Sequence, residues 1–242
     1  EDNLIIKAAR LLSLKARSSV LGADIYLRKK IPIGAGLAGG SSNGAAALVG
    51  LNNLWKLGYS VQDLESFAAE LGSDMPFCLK GGVQLCFGRG EILEKINMET
   101  SSMGILLVKD PRVSVSTPWA YKRYKEINQS KYMKSEVEFE RRRNILRERN
   151  WLNNLEIENS ISIRNDLQQV VSSEIDSVAM SLKFLKDLPG HLAVSMSGSG
   201  PSCFALFADY VEAKKVFEKY GGQLKELGLE AWPCALITGG VV

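Results

Sequence analysis

Histidine and closely paired cysteines are scarce in this sequence of 242 residues. It has one histidine, His191, and four cysteines, Cys78, Cys86, Cys203 and Cys234, with no Cys-x-x-Cys pair among them. A structural zinc site needs four ligands at close spacing, and a disulfide scaffold needs a denser set of cysteines. Both classes are therefore disfavoured, and a Ser-His-Asp hydrolase lacks support. Free thiols in a reducing cytosol are the expectation.

Long apolar runs and a large charge excess are also missing. No stretch approaches the roughly 18 apolar residues of a membrane span, and we expect no signal peptide. Thirty basic and 27 acidic side chains leave a net charge of +3, too small to indicate a nucleic-acid partner. Arginines do cluster in residues 119–150, but alternating glutamates favour a solvated helix face there. The composition, 45% hydrophobic, is typical of a soluble cytoplasmic protein that has no membrane partner.

The order of predicted elements indicates an α+β protein in two parts. Periodicity predicts helices over residues 3–15, 45–55 and 61–71 and a strand over residues 24–30. A second block begins with an apolar strand near residue 105 and ends in an amphipathic helix and a last strand. We expect a boundary near residue 100, with domains over residues 1–100 and 101–242.

A glycine-rich segment between a predicted strand and a predicted helix carries the first functional signal. It reads Pro32-Ile33-Gly34-Ala35-Gly36-Leu37-Ala38-Gly39-Gly40-Ser41-Ser42. Glycines let the backbone approach a ligand without obstruction, and a helix N-terminus offers N–H groups and partial positive charge to a phosphate. Ser41 and Ser42 add hydroxyls for phosphate oxygens or a magnesium ion. The segment predicts a phosphate-binding loop, with a flexible turn as the alternative.

Two common phosphate-binding loops do not fit this segment. A Walker loop requires a lysine after its last glycine, and none is present. The spacing of Gly34, Gly36 and Gly39 matches a dinucleotide-binding fingerprint, which also needs an acid about 20 residues on. At that distance the sequence has residues 55–59, at a predicted helix end. The loop therefore belongs to another class.

The segment resembles the second signature of the GHMP kinases, the family of galactokinase, homoserine kinase, mevalonate kinase and phosphomevalonate kinase. Residues 2–5, 51–55, 71–77 and 88–91 are similar to the same family, and the likeness weakens only over residues 125–160. The extra glycines before the paired serines resemble those members that phosphorylate a cytidine-diphosphate sugar alcohol in the non-mevalonate route to isoprenoids. A homoserine or mevalonate kinase is one alternative, and an inactive nucleotide-binding module is another.

This resemblance implies a two-domain GHMP-kinase fold. Its N-terminal part would be a nucleotide-binding α/β domain, and its C-terminal part a ferredoxin-like α/β domain. ATP, together with Mg2+, would be the phosphoryl donor, and a small molecule the acceptor. The resemblance identifies no metal ligands. It leaves a homodimer open, and it would place the protein in the plastid stroma if the source were a plant or alga.

The resemblance also implies roles for particular residues. Asp74 matches the aspartate that accepts the proton of the attacking hydroxyl, although its pattern alone favours a helix N-cap. Residues 194–204 resemble the third signature, whose loop approaches the phosphates from the opposite side, with a plain hairpin turn as the alternative. The other matches are Ser197, Gly198, Ser199 and Gly200 in that loop, Lys29 near the nucleotide, Asn3 and Leu4 at the adenine pocket, and Pro118 and Lys122 on the substrate side.

One part of the family pattern has no counterpart in this sequence. The family places a catalytic lysine in a Lys-Ile-Asn-Leu segment near its N-terminus, followed by a Gly-Tyr-His segment that binds cytidine. Lys7 falls within the first predicted helix and cannot take that role. Either the sequence is a piece of a longer protein or the protein has lost this catalytic partner. We expect the former.

Overall fold

The computed structural model describes residues 3–17, 21–98, 102–148 and 163–242, which form two compact units. Unit 1 comprises Glu1–Ile33, Ala38–Glu99 and Ile237–Val242, and unit 2 comprises Gly34–Leu37 and Thr100–Leu236. The units are therefore not two continuous halves of the chain. Four residues of the glycine-rich segment belong to unit 2, and the rest of that segment belongs to unit 1.

Unit 1 is built from helices and one antiparallel hairpin. Its described elements are α1 (Leu4–Lys15), α2 (Gly39–Leu54), α3 (Val61–Leu71), α4 (Met75–Lys80), β1 (Val83–Phe87) and β2 (Ile92–Ile96). The four helices enclose a core of fully buried apolar side chains such as Leu12, Leu48 and Leu79. The C-terminal residues return to this unit, because the N–H groups of Val241 and Val242 donate to the carbonyls of Cys78 and Leu79, both at 3.2 Å.

Two of the expected elements in unit 1 differ from the structure. Residues 24–30 form no strand, because they pair with no other strand in the described parts of the chain, and Tyr26 is 95% exposed. Helix α2 begins at Gly39, six residues before the expected start at Ala45. The paired serines therefore lie in the first turns of a helix and not in a loop. The helices expected over residues 3–15 and 61–71 are present as α1 and α3.

Unit 2 contains a four-stranded antiparallel sheet with helices. Its described elements are β3 (Gly104–Lys109), α5 (Thr117–Asn128), a 3-10 turn (Gln129–Lys131), α6 (Glu136–Arg147), α7 (Asp166–Glu174), α8 (Asp176–Lys186), β4 (Ala193–Met196), β5 (Cys203–Phe207), α9 (Tyr210–Glu226) and β6 (Glu230–Ala235). The strand order is β4-β5-β3-β6, with α8 and α9 packed on the sheet. A β-α-β-β-α-β succession with this order is ferredoxin-like, as the resemblance implied.

Within the charged stretch of unit 2, helix α6 is exposed and is stabilised by its own ion pairs. No residue of α6 is buried. Glu138 pairs with both Arg141 and Arg142 at 3.0 Å, and Arg143 pairs with Glu140. Pairs at these spacings satisfy charges within one helix, which agrees with the expected solvated face. Residues 149 and 150 of this stretch lie outside the described residues. No described helix is long and apolar enough to cross a bilayer.

Candidate active site

The N-terminus of α2 has no side-chain cap. Its N-cap residue, Ala38, adopts a left-handed backbone (φ 49°) and has no side chain that accepts a capping hydrogen bond, and the first turn holds no acidic residue. Side chains cap five other described helices, namely Asn3, Ser60, Ser116, Asn165 and Asp209 at the starts of α1, α3, α5, α7 and α9. The first N–H groups of α2 therefore remain available to an acceptor from outside the helix.

A lysine lies at the same helix end. Lys29 Nζ donates a hydrogen bond of 2.9 Å to the carbonyl of Gly39, the first residue of α2. A cation is normally unfavourable there, because the helix N-terminus already carries partial positive charge. An uncapped terminus with an added cation is the environment that favours a phosphate group. Ser42, whose hydroxyl donates to the Gly39 carbonyl at 3.2 Å, lies in the next turn.

Asp74 directly precedes α4, but its carboxylate does not cap that helix. No capping hydrogen bond is made from its side chain, which is exposed. A Cβ atom on Gly90 would lie 3.9 Å from Asp74 Oδ1, so the turn of the hairpin faces this carboxylate. Burial, and next the charge of Asp74, raise the pKa of Cys78 to about 11. The capping role that the sequence alone favoured is therefore absent.

Met75, the residue after Asp74, packs helix α4 against α1 and α2. Met75 is fully buried, and a Cβ atom on Gly44 would lie 3.0 Å from Met75 Cε and 3.0 Å from Leu4 Cβ. Helices α1, α2 and α4 therefore meet at Gly44, in the second turn of α2. Asp74 thus directly precedes α4, which packs in unit 1 against α2, the helix with the uncapped terminus.

In unit 2, the first glycine loop and the third-signature loop are bonded to each other. Ser197 Oγ donates to the carbonyl of Gly36 at 2.8 Å, and the N–H of Ser202 donates to the carbonyl of Ala35 at 3.3 Å. A Cβ atom on Gly36 would lie 2.4 Å from the carbonyl oxygen of Ser197 and 2.6 Å from that of Gly200. The structure thus brings together two segments that the resemblance assigns to one nucleotide.

Contacts within the protein leave no space for a side chain at two glycines of the segment. At Gly36 the space beside the Cα atom is occupied by the backbone of the other loop, and the positive φ of 71° also favours glycine. At Gly39 an added Cβ atom would lie 2.7 Å from Ile31 Cγ2 and 3.3 Å from Lys29 Nζ. Close packing of the protein against itself therefore requires glycine at both positions.

The start of α5 is tied to the same loops of unit 2. The N–H of Val115 donates to the carbonyl of Gly34 at 3.0 Å, and the hydroxyls of Thr117 and Ser199 lie 2.8 Å apart. Pro118 and Lys122, four residues apart on α5, are both exposed. Sequence reasoning missed Thr117, although the helix start Ser116-Thr117-Pro118 was a visible signal.

The predicted site residues are divided between the two units. Ser199 is 7% exposed, whereas Ile33 is 84% exposed and Pro32 is also exposed. The side chain of Asn3 caps α1, because its Oδ1 accepts a hydrogen bond of 3.0 Å from the N–H of Ile5. Unit 2 holds Gly34, Ala35, Gly36, Leu37, Ser197, Gly198, Ser199, Gly200, Pro118 and Lys122, and unit 1 holds Asn3, Leu4, Lys29, Pro32, Ile33, Ala38, Gly39, Gly40, Ser41, Ser42 and Asp74.

The chain matches two domain families over most of its length. Residues 3–82 match the GHMP kinases N terminal domain, and residues 145–226 match the GHMP kinases C terminal domain. The 4-diphosphocytidyl-2-C-methyl-D-erythritol kinase of Prochlorococcus marinus strain MIT 9313 is 58% identical over 240 residues, which are 99% of this chain and 75% of that protein. Identity at this level over almost the whole chain shows more than a shared fold.

Solved structures extend the comparison. A crystal structure of 4-(cytidine 5'-diphospho)-2C-methyl-D-erythritol kinase superposes with a TM-score of 0.72 at 28% identity, covering 98% of this chain and 78% of that one. Homoserine kinase from Cytophaga hutchinsonii gives a TM-score of 0.71 at 21% identity, covering 99% and 77%. Fold similarity alone does not separate these two enzymes, whereas sequence identity does.

Proposed function

This chain belongs to the GHMP kinases and, within them, to the 4-diphosphocytidyl-2-C-methyl-D-erythritol kinases, and we propose its reaction on that premise. The protein transfers the terminal phosphoryl group of ATP to the 2-hydroxyl of 4-diphosphocytidyl-2-C-methyl-D-erythritol, a step of the non-mevalonate route to isoprenoids. It is an ATP-dependent phosphotransferase with an alcohol acceptor.

The observation that carries this proposal is the uncapped first turn of α2 with Lys29 beside it. Phosphate oxygens of ATP supply the acceptors that the first N–H groups of α2 lack. Hydrogen bonds to a charged acceptor contribute about 1.5 to 3 kcal/mol each, more than bonds between neutral groups. Lys29, held by the Gly39 carbonyl, adds a positive charge at the same point. Both features disfavour an empty helix end and favour an anionic ligand.

Asp74 supplies the proton acceptor in this reaction. As the acceptor oxygen bonds to the γ-phosphorus, the bond from that phosphorus to the bridging oxygen breaks and ADP leaves. The hydroxyl proton passes to the Asp74 carboxylate, which is exposed and makes no capping hydrogen bond. Phosphoryl transfer depends mainly on positioning and on charge stabilisation, which the α2 terminus and Lys29 provide.

The oxygen donors near the start of α2 fit a magnesium ion that arrives with ATP. Among the residues that the structure describes, no three His, Cys, Asp or Glu side chains converge on one point. Mg2+ in kinases usually takes one or two carboxylates, with waters and substrate phosphates completing its coordination. Ser41 and Ser42 are the residues that would contribute oxygen ligands, with waters and phosphate oxygens completing the coordination. When bound, the ion would offset the charge of the phosphates.

The substrate side of the proposal lies on α5. Lys122 is exposed one turn after Pro118, and its ammonium group can pair with the diphosphate of the cytidine-containing substrate. The hydroxyl of Thr117, 2.8 Å from that of Ser199, joins this helix start to the third-signature loop of the same unit. The start of α5, which we assign to the acceptor substrate, is thus hydrogen-bonded to the third-signature loop.

A substrate-exchange assay tests the proposal. Purified full-length protein is incubated with ATP and, in parallel, with 4-diphosphocytidyl-2-C-methyl-D-erythritol, homoserine or mevalonate, and phosphorylated products are identified by mass spectrometry. We expect product only with the first acceptor. Transfer to homoserine or mevalonate would assign the protein to another branch of the family. Binding of an ATP analogue by calorimetry without transfer to any acceptor would indicate an inactive nucleotide-binding module.

A further inference from the structure

Two side-chain amides at the start of α7 hold the end of strand β4. Asn165 Nδ2 donates to the carbonyls of Met196, at 2.8 Å, and of Gly198, at 2.9 Å. Gln168 Oε1 accepts from the N–H of Met196, at 2.8 Å, and from the hydroxyl of Ser195, at 3.2 Å. The first turn of α7 is thus bonded to the segment that leads into the third-signature loop.

These amides take the place of a neighbouring strand. Strand β4 lies at the edge of the sheet, with β5 on its inner side. An edge strand leaves backbone N–H and C=O groups unpaired on its outer side. At Met196 the Gln168 carbonyl accepts from the N–H and the Asn165 amide donates to the C=O, which is the pairing that another strand would provide. The end of β4 is therefore fixed by two side chains.

Asn165 and Gln168 occupy the two positions of a capping box, but Gln168 does not make the hydrogen bond of a capping box. Asn165 is the N-cap of α7, and Gln168 is its third helical residue. In a capping box the third residue turns back to the N-cap N–H, as Asp63 does to Ser60 in α3. Gln168 turns to Met196 instead. Asn165 accepts from the N–H of Leu167 at 3.0 Å and still uses its amino group on the loop.

Holding the Gly198 carbonyl determines where the next amide points. In a trans peptide the C=O and N–H groups point in opposite directions, so this contact turns the N–H of Ser199 away from Asn165. That N–H donates to no backbone or side-chain acceptor in the described parts of the chain. The hydroxyl of Ser197 separately ties the loop to Gly36 at 2.8 Å. The loop is thereby held with two backbone donors, the N–H groups of Gly198 and Ser199, unpaired in the described parts of the chain.

We propose that Asn165 and Gln168 are positioning residues for ATP: they hold loop residues 197–200 in the conformation that leaves the N–H groups of Gly198 and Ser199 available to the nucleotide. This inference rests on the proposed function. Neither side chain contacts the nucleotide. Both act through the backbone of β4 and the loop.

Replacing Asn165 with aspartate separates the two tasks of this side chain. Aspartate caps helices as well as asparagine does, so the bond to Leu167 is kept, but its carboxylate repels the two carbonyl oxygens that it faces. We expect the melting temperature to fall by about 2 to 8 °C, because the two bonds to the carbonyls of Met196 and Gly198 are lost while the protein stays folded. We expect the KM for ATP to rise at least about tenfold, and the amides of residues 195–202 to exchange hydrogen faster. The second measurement reports on the loop without reference to catalysis.

Gln168 offers an independent pair of variants. Gln168→Glu keeps the acceptor for the Met196 N–H and should leave the KM for ATP within about twofold. Gln168→Leu removes that acceptor and should reproduce the effects of Asn165→Asp, including the faster exchange. Gln168→Leu also carries the test if Asn165→Asp does not fold. Asp209→Asn is the control, because it exchanges the same two groups at the N-cap of α9, where the side chain accepts from Glu212 at 2.7 Å. It should leave both readouts unchanged.

The outcomes distinguish this inference from the proposed function. Folded Asn165→Asp and Gln168→Leu proteins with a wild-type KM for ATP would overturn the positioning role, whatever their exchange rates. Equal rises in KM for Gln168→Glu and Gln168→Leu would also overturn it, because only the latter removes the acceptor. Wild-type protein that binds no ATP analogue would overturn the proposed function itself, and the positioning role with it.

Discussion

Replacing Asp74 with asparagine tests proton acceptance with almost no change in shape. Asparagine keeps the size of the side chain but cannot take a proton at neutral pH. Loss of a general base lowers turnover by about 100- to 10,000-fold, or about 2.7 to 5.5 kcal/mol in the activation barrier. Affinity for an ATP analogue should change by less than about threefold, because the phosphate donors lie on α2 and not on Asp74.

The structure predicts almost no effect of this substitution on stability. A capping aspartate contributes about 1 kcal/mol, but Asp74 makes no capping bond and is exposed, so the change should stay within about 0.5 kcal/mol. Asp63→Asn is a matched control in the same unit. Its carboxylate accepts from the N–H and hydroxyl of Ser60, at 2.9 and 2.7 Å. Asp63→Asn should have a lower melting temperature than wild type and an unchanged turnover.

The exposed thiol of Cys86 reports whether the charge of Asp74 has been removed while the protein stays folded. Burial, and next the charge of Asp74, raise the pKa of Cys86. Asp74→Asn should therefore lower that pKa and speed alkylation of Cys86 at a given pH. The assay combines steady-state turnover with ATP and 4-diphosphocytidyl-2-C-methyl-D-erythritol, melting temperature, and alkylation rate against pH. Turnover within about threefold of wild type, together with a lowered pKa of Cys86, would refute Asp74 as the proton acceptor.

Four further predictions follow from individual contacts. Gly36→Ala should destabilise the protein by about 2 to 4 kcal/mol in urea unfolding, since its Cβ atom would meet the Ser197 carbonyl at 2.4 Å with a positive φ; a wild-type midpoint would contradict the close approach of the loops. Lys29→Met should weaken binding of an ATP analogue about three- to tenfold in calorimetry, with a smaller effect in high salt. Lys109, which is 2% exposed, donates to the carbonyls of Asp110 and Val113 at 2.8 and 2.7 Å, so Lys109→Met should lower the free energy of unfolding by about 2 to 3 kcal/mol. Hydrogen bonds from the Arg112 side chain lower the pKa of Asp110 from its ordinary 3.8. The ionised Asp110 carboxylate therefore stabilises the folded protein fully above pH 3.8, and this stabilisation is lost as the pH falls through the lowered pKa. Urea titrations should show that wild type is more stable than Asp110→Asn at about pH 6 and that the difference shrinks in acid.

The sequence by itself determined the features that depend on neighbouring residues. The helical periodicity over residues 3–15 and 61–71 predicted α1 and α3 almost to the residue, because a 3.6-residue repeat and its caps are local. The glycine and serine content of residues 34–42 indicated a phosphate loop, and together with its flanks resembled the GHMP kinases, the family to which the chain belongs. Alternation failed over residues 24–30, because a strand also needs a partner, and partners are distant in sequence.

Only the tertiary structure decided what the site residues contact. Asp74 had the pattern of an N-cap, yet its carboxylate makes no such bond. The carbonyl of Gly36 accepts a hydrogen bond from the hydroxyl of Ser197, 161 positions later in the sequence. The Asn165 amide donates to the carbonyl of Met196, 31 positions later. Contacts of this range depend on how the sheet and helices of unit 2 pack, because a periodic pattern specifies which face of an element is buried but not which distant residue it meets.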